Sequence, residues 1–468
     1  MKANLKNGFL LPAFIAALAL LPAWLAAAQT FTNLHIFPYP GGGGAFPQSG
    51  LALAGNRLYG TAQEGGDSGY GTVFAIHING TGYTNLYNFS LATPNVQGLY
   101  TNSDGAFPRA GLTLAGNTLY GVSQSGGSNA FGTVFKLNTN GSDFTVLYTF
   151  TNGSPGGGLA ISGNTLYGTT ERGGITVFAI NTDGSGYTNL YSSTYGSYSY
   201  GFNPAGMVIA SNALYWTEFQ YPNEYINKIN TDGTGYTNLY SVPDGGSYGS
   251  PVIAGLIISG HTLYGTAEYG GVVGNGAVFA ANTDGSGYTN LYSFTAESAD
   301  PYKFGNSTNN DGAFPVGLTL SSNILCGMAG LGGDSGQGTV FAVNTDGLGF
   351  TNLYSFTGIT DGSQPQAGPI LSGNTLYGTA EAGGDDSGDS SGYGTIFSIS
   401  GISLVPVISP PQLTIVHSGT NVILNWSATG LKLQSTTNLA SPQWVLVTGQ
   451  NTVTNPIAGT RKFYRLSH

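Results

Sequence analysis

Apolar and polar positions alternate along most of this chain in short runs, and the runs come back in the same order. The landmark is Leu-Tyr-Gly, at Leu58-Tyr59-Gly60, Leu119-Tyr120-Gly121, Leu166-Tyr167-Gly168, Leu263-Tyr264-Gly265 and Leu376-Tyr377-Gly378, with degenerate copies at Leu214-Tyr215-Trp216 and Leu325-Cys326-Gly327. The central residues are 61, 47, 48, 49, 62 and 51 positions apart. A period near fifty belongs to propellers and some solenoids.

Each repeat contains four strand patterns. The first is Gly-Leu-x-Leu, as in Gly111 to Leu114, followed by a two-residue hairpin signal such as Gly116-Asn117. The second carries the landmark and ends near a Gly-Gly pair, such as Gly126-Gly127. The third is Gly-Thr-Val-Phe, as in Gly132 to Phe135. A turn like Asn181-Thr182-Asp183-Gly184-Ser185-Gly186 leads to the fourth, Tyr-Thr-Asn-Leu-Tyr. Helical periodicity is confined to the N-terminal leader.

The phase of the array predicts closure. The repeat region opens with a fourth-strand copy, Phe31-Thr32-Asn33-Leu34-His35-Ile36-Phe37, and its last repeat ends at Phe397-Ser398-Ile399 without one. An open array has no use for that offset. A ring does, because the N-terminal strand completes the last blade and removes exposed edges. The expected fold class is all-β: a seven-bladed propeller of four-stranded blades over 29–402, then a small β-sandwich module.

Composition adds compartment and excludes some partners. Lys2 and Lys6, the apolar run Phe9 to Leu25 and Ala26-Ala27-Ala28 read as a signal peptide over 1–28, so a secreted or cell-envelope protein is expected. No transmembrane segment is expected in the mature chain. With 12 Lys and Arg and a net charge of −10, nucleic acid is not an expected partner. Only 7% of residues are charged, against roughly 25% in typical chains. The single cysteine, Cys326, occupies a landmark tyrosine position and reads as a core residue rather than a reactive thiol. A monomer is expected.

After Gly401 the prolines Pro406, Pro410 and Pro411 suggest a stiff linker over 403–411. The remainder, 412–468, alternates as β structure, but at roughly 58 residues it is short for an immunoglobulin sandwich of about 100. It is similar to the small Ig-like modules that close many secreted bacterial proteins, which implies an attachment role or a passive cap.

The unit that runs from Asp104-Gly105-Ala106-Phe107-Pro108 through the Leu-Tyr-Gly strand, Gly-Thr-Val-Phe and Asn-Thr-Asp-Gly to Tyr-Thr-Asn-Leu-Tyr resembles the GloVer, or choice-of-anchor, tandem repeat, a kelch-like propeller unit. The resemblance spans roughly residues 31 to 400. It implies an exported or surface-displayed bacterial protein and supplies no catalytic residues.

Two constellations fall on the face that bears the variable loops, where binding residues concentrate. Four positions after each landmark stand Gln63, Gln124, Glu171, Phe219, Glu268, Gly330 and Glu381. Such residues either ring the axis as a polar site for sugar hydroxyls or a cation, or cap backbone amides of the Gly-Gly loops. The fourth repeat gains Trp216, Phe219 and Tyr221 among other aromatics, which read either as a platform for a sugar ring or protein partner, or as packing between blades.

The chemistry stops there. The Asn-x-Asp-Gly-x-Gly turns resemble calcium loops but lack the closing bidentate acid. The histidines are scattered, and no base pairs with a nucleophile. No catalytic residue, metal or cofactor is expected. The leading expectation is a non-catalytic binder of carbohydrate or a surface protein, with neutral polymers suited by the low charge. The alternatives are a glycoside hydrolase or polysaccharide lyase using Glu171, Glu268 or Glu381, and a structural surface protein with no ligand.

Overall fold

The computed structural model describes residues 29–402, apart from 39–41, 172–174, 194–205, 221–222, 243–252, 300–306 and 385–391, together with strands at 413–418, 421–426, 432–436, 445–446, 452–456 and 463–467. The repeats form seven four-stranded antiparallel sheets arranged as a propeller. In the first blade the strands run Ala52–Ala54, Arg57–Ala62, Thr72–His77 and Thr84–Asn88, from the axis outward. The seventh blade takes Ile370–Ser372, Thr375–Ala380 and Thr395–Ser400 from the C-terminal end of the array, and its outer strand is Thr30–Ile36. The ring is therefore closed by the N-terminal strand, as the repeat phase requires.

The core lies between blades. Tyr59, Val73 and Ala75 of the first blade pack against Leu112, Leu119 and Phe135 of the second. The closure interface is built to the same standard, with Leu34, Tyr377 and Ile396 of the seventh blade against Leu51, Leu58 and Phe74 of the first. Cys326 is fully buried in this layer, and burial pushes its thiol up to about 12.

Three devices repeat around the ring. In every blade the third and outer strands slip register by one residue, as between Val73 and Phe74, where Leu86 is left unpaired between Asn85 and Tyr87. Such a bulge re-aims the side chains that follow it. In six of the seven blades the unpaired leucine lies under the Asp-Gly or Asn-Gly turn of the next blade: a Cβ on Gly285 would stand 2.6 Å from the Leu239 carbonyl oxygen, and its φ is +86°. Glycine alone satisfies both conditions.

The tyrosine after the bulge stacks on an aromatic ring of the next blade. The seven pairs are Tyr87–Phe144, Tyr148–Tyr187, Tyr191–Tyr236, Tyr240–Tyr288, Tyr292–Phe350, Tyr354–Phe31 and His35–Tyr83, with centroids 3.6 to 4.3 Å apart. This girdle crosses every blade interface once. Two of its members, Phe31 and His35, belong to the closing strand.

The third device is a buried carboxylate in the loop between blades. Asp311 accepts from Tyr292 Oη at 2.7 Å, Thr295 N at 2.9 Å and Thr295 Oγ1 at 2.5 Å. Asp104 and Asp361 repeat the arrangement with Tyr87 and Ser90, and with Tyr354 and Thr357. Each carboxylate ties the end of one blade to the segment leading into the next.

C-terminal to the ring, the described strands form two three-stranded sheets. Asn421–Trp426 pairs with Leu413–Ser418 and Thr452–Pro456, and Lys432–Thr436 pairs with Val445–Leu446 and Phe463–Ser467. Among the described residues no helix is long and apolar enough to cross a membrane.

Candidate functional site

The segments leading into the inner strands converge on the axis and line a cavity of about 710 Å³. Each blade supplies a glycine at the same level: Gly50, Gly111, Gly158, Gly206, Gly255, Gly317 and Gly368. Between the sixth and seventh blades the inner strands approach closely enough to require glycine. A Cβ on Gly317 would meet the Gly368 nitrogen at 2.6 Å. Side chains enter the cavity at its mouth, on the face of the loops between second and third strands. Gln48, Arg109, Glu268 and Glu381 line it.

In blades one, two, three and seven the two loops of the blade pair beside the mouth. Ala45 bridges Glu64, Ala106 bridges Ser125, Pro155 bridges Thr170, and Ser363 bridges Ala382. The amides of Gln63, Gln124, Glu171 and Glu381 donate to the carbonyls of Phe46, Phe107, Ser154 and Gln364. Position four after the landmark is thereby fixed at the rim, and its side chain is half-buried in all four blades.

The side chains of Gln124, Glu171 and Glu381 bond to side chains of neighbouring blades. Gln48 Nε2 donates to Glu381 Oε1 at 2.5 Å, across the ring closure. Arg109 Nε donates to Gln48 Oε1 at 2.9 Å, and Arg109 Nη1 to Gln124 Oε1 at 3.4 Å. Gln124 Nε2 donates to Glu171 Oε1 at 2.5 Å. The result is an arc of five side chains, Glu381–Gln48–Arg109–Gln124–Glu171, over blades seven, one, two and three. The two outer carboxylates are three residues apart along the arc and do not form a direct pair.

Gln63 has no side-chain bond in the arc, although its position is equivalent. Glu268, in blade five, lines the cavity apart from the arc, and burial raises its carboxyl to about 7. Gln48 and Arg109 belong to the site although the spacing rule did not find them. They stand after the phenylalanine-proline pairs Phe46-Pro47 and Phe107-Pro108, and that repeated pair followed by a polar residue was the available signal.

The aromatic reading of blade four is corrected at Trp216. This side chain is fully buried, 0% exposed, so it cannot be a platform. In the other six blades the landmark glycine faces a phenylalanine on the third strand: a Cβ on Gly60 would lie 2.5 Å from Phe74 Cζ. Blade four transposes the pair, with Trp216 where the glycine stands and Asn227 where the phenylalanine stands. Trp216 then packs near Tyr191 and Tyr236, in the girdle. Asn227 Nδ2 donates to the buried Glu218 at 3.3 Å and its Oδ1 accepts from Tyr236 Oη at 3.2 Å. Tyr221 and the side chain of Phe219 lie outside the described residues.

On the opposite face, the Asn-Thr-Asp-Gly turns close on themselves. Asp183 Oδ1 accepts from Ser185 N at 2.9 Å and from Ser185 Oγ at 2.6 Å, and these bonds hold its carboxyl below its ordinary value. Asp232 and Asp284 do the same. The carboxylates serve the turns. Among the described residues, no group of three His, Cys, Asp or Glu side chains converges as a metal site would require.

Ring, repeats and axial mouth define the class: a seven-bladed β-propeller made of tandem repeats. Residues 23–225 match the family model of the Gloeobacter/Verrucomicrobia repeat. No curated protein matches the sequence. Similar solved structures include oligogalacturonate lyase in complex with manganese, at 11% identity over 79% of this chain and 92% of that one, with a TM-score of 0.51. Oligogalacturonate lyase from Vibrio parahaemolyticus is similar at 10% identity over 79% and 93%, again with a TM-score of 0.51. At these identities the likeness is one of fold.

Proposed function

We propose that this protein is an exported, non-catalytic binding propeller that holds a carbohydrate chain at the axial mouth. The observation that carries this reading is the preorganised arc. Five side chains from four blades alternate amide, guanidinium and carboxylate groups beside a cavity of about 710 Å³, within the range of small-ligand sites. Donors and acceptors side by side suit vicinal hydroxyls, and the bonds within the arc fix the side chains before a ligand arrives, which lowers the entropy lost on binding. Export follows from the leader, and surface attachment through the C-terminal strands is part of the same proposal.

A second reading is supported by Glu268, a carboxyl raised to about 7 in the cavity wall, as a general acid or base requires. It would make the chain a glycoside hydrolase or lyase, and the fold it shares with oligogalacturonate lyase is compatible with that.

A glycan-array screen of the full chain and of the Gln48→Ala/Gln124→Ala variant tests the first reading. Binding by the wild type that falls at least tenfold in the folded variant is expected. Cleavage of the bound glycan, lost in Glu268→Gln, would replace it with the second.

A further inference from the structure

Arg109 is unusual for a cation beside two carboxylates, because neither of its bonds goes to one. Its Nε and Nη1 donate to the amide oxygens of Gln48 and Gln124, and each glutamine passes its own NH₂ on to a glutamate. The glutamines stand as neutral spacers, so the guanidinium is oriented without being paired to an anion. Of its five N–H donors, two are used in this way, and the remainder include both on Nη2. Arg109 lines the cavity, and it is the one cation among the described lining residues.

A planar guanidinium with adjacent free donors matches a planar carboxylate in bidentate fashion. The charge balance sets the size of the anion. Glu268 and Glu381 line the same cavity, so a single negative charge fits beside Arg109, whereas a phosphate or several sulfates would be repelled. Burial holds the Glu268 carboxyl near 7, which lessens its opposition to an anion at neutral pH.

We propose that Arg109 is the carboxylate-binding residue of the mouth and that the ligand is an acidic sugar, a uronate whose carboxylate lies against this guanidinium. The inference rests on the carbohydrate reading above and narrows it. The low overall charge had suggested neutral polymers; the unpaired arginine reverses that preference locally.

Calorimetric titration of the full chain with oligomers of galacturonate, glucuronate, mannuronate and guluronate, each beside its methyl ester, tests the assignment. At least one acid is expected to bind tenfold or more tightly than its ester. Arg109→Gln should abolish the difference, and Arg109→Lys should retain part of it, with folding checked by thermal melting. Esters bound as tightly as acids, or an unchanged preference in Arg109→Gln, would overturn the assignment and leave the carbohydrate reading standing. Sulfated glycans bound in preference to every uronate would also overturn it. If neither these oligomers nor any glycan on an array binds, both readings fall together.

Discussion

His35 is the member of the aromatic girdle with an ordinary pKa near neutrality; the other positions hold tyrosine or phenylalanine. Its ring stacks on Tyr83 at 3.7 Å and meets the edge of Phe37 at 4.9 Å, and its buried Nε2 has no hydrogen-bond partner. Burial lowers it from 6.5 to about 4. Between those values the unfolded chain binds a proton that the folded chain refuses, so this contribution is complete above about 6.5 and is lost as pH falls towards about 4. His35→Phe should keep the stack and remove one proton's worth of pH dependence, measured as the difference in denaturant midpoint between the two proteins from pH 7 to pH 4. Parallel profiles would contradict the account. That His35 replaces a repeat tyrosine was legible in the sequence. Its role was not, because the stack joins it to Tyr83 of the next blade. For Trp216 the choice between platform and packing was hidden for a related reason: its complement is Asn227, eleven residues on, and the exchange shows only once the two strands are in register.

At the scale of elements, strand patterns and hairpin signals were legible, since alternation and glycine placement are local. The bulge was not. Leu86 and its equivalents look like ordinary strand residues, and only pairing reveals the slipped register. The aspartate that opens each Asp-Gly-x-x-Pro segment was visible as a repeat, whereas its three partners lie on the preceding blade. Removing Asp311, itself 4% exposed, leaves the half-buried Tyr292 hydroxyl and the hydroxyl and amide of the exposed Thr295 without their acceptor. Unmet groups of this kind cost about 1–3 kcal/mol each. Asp311→Ala should therefore lower stability by about 1–3 kcal/mol in chemical denaturation, and an unchanged midpoint would show that the carboxylate is not a staple.

At the scale of the whole molecule, closure and the proposed site meet at one hydrogen bond. Gln48 to Glu381 joins blade one to blade seven at the rim, so the arc exists only in a closed ring. The offset of the fourth-strand copies made the ring legible, and the positions four after each landmark located the rim. The arc itself was hidden because Gln48 and Arg109 enter from the connections between blades, outside that register. The proposed ligand binds across this rim and not on the Asp-Gly turns of the opposite face. The most direct measurement is hydrogen–deuterium exchange of the full chain with and without its best-binding array glycan. Protection is predicted together at 46–50, 107–111 and 124–126, and at 364–368 and 381–383, segments distant in sequence that meet at the mouth. Protection confined to the turns at 79–82, 183–186, 232–235 and 284–287 would place the site on the other face and contradict the account.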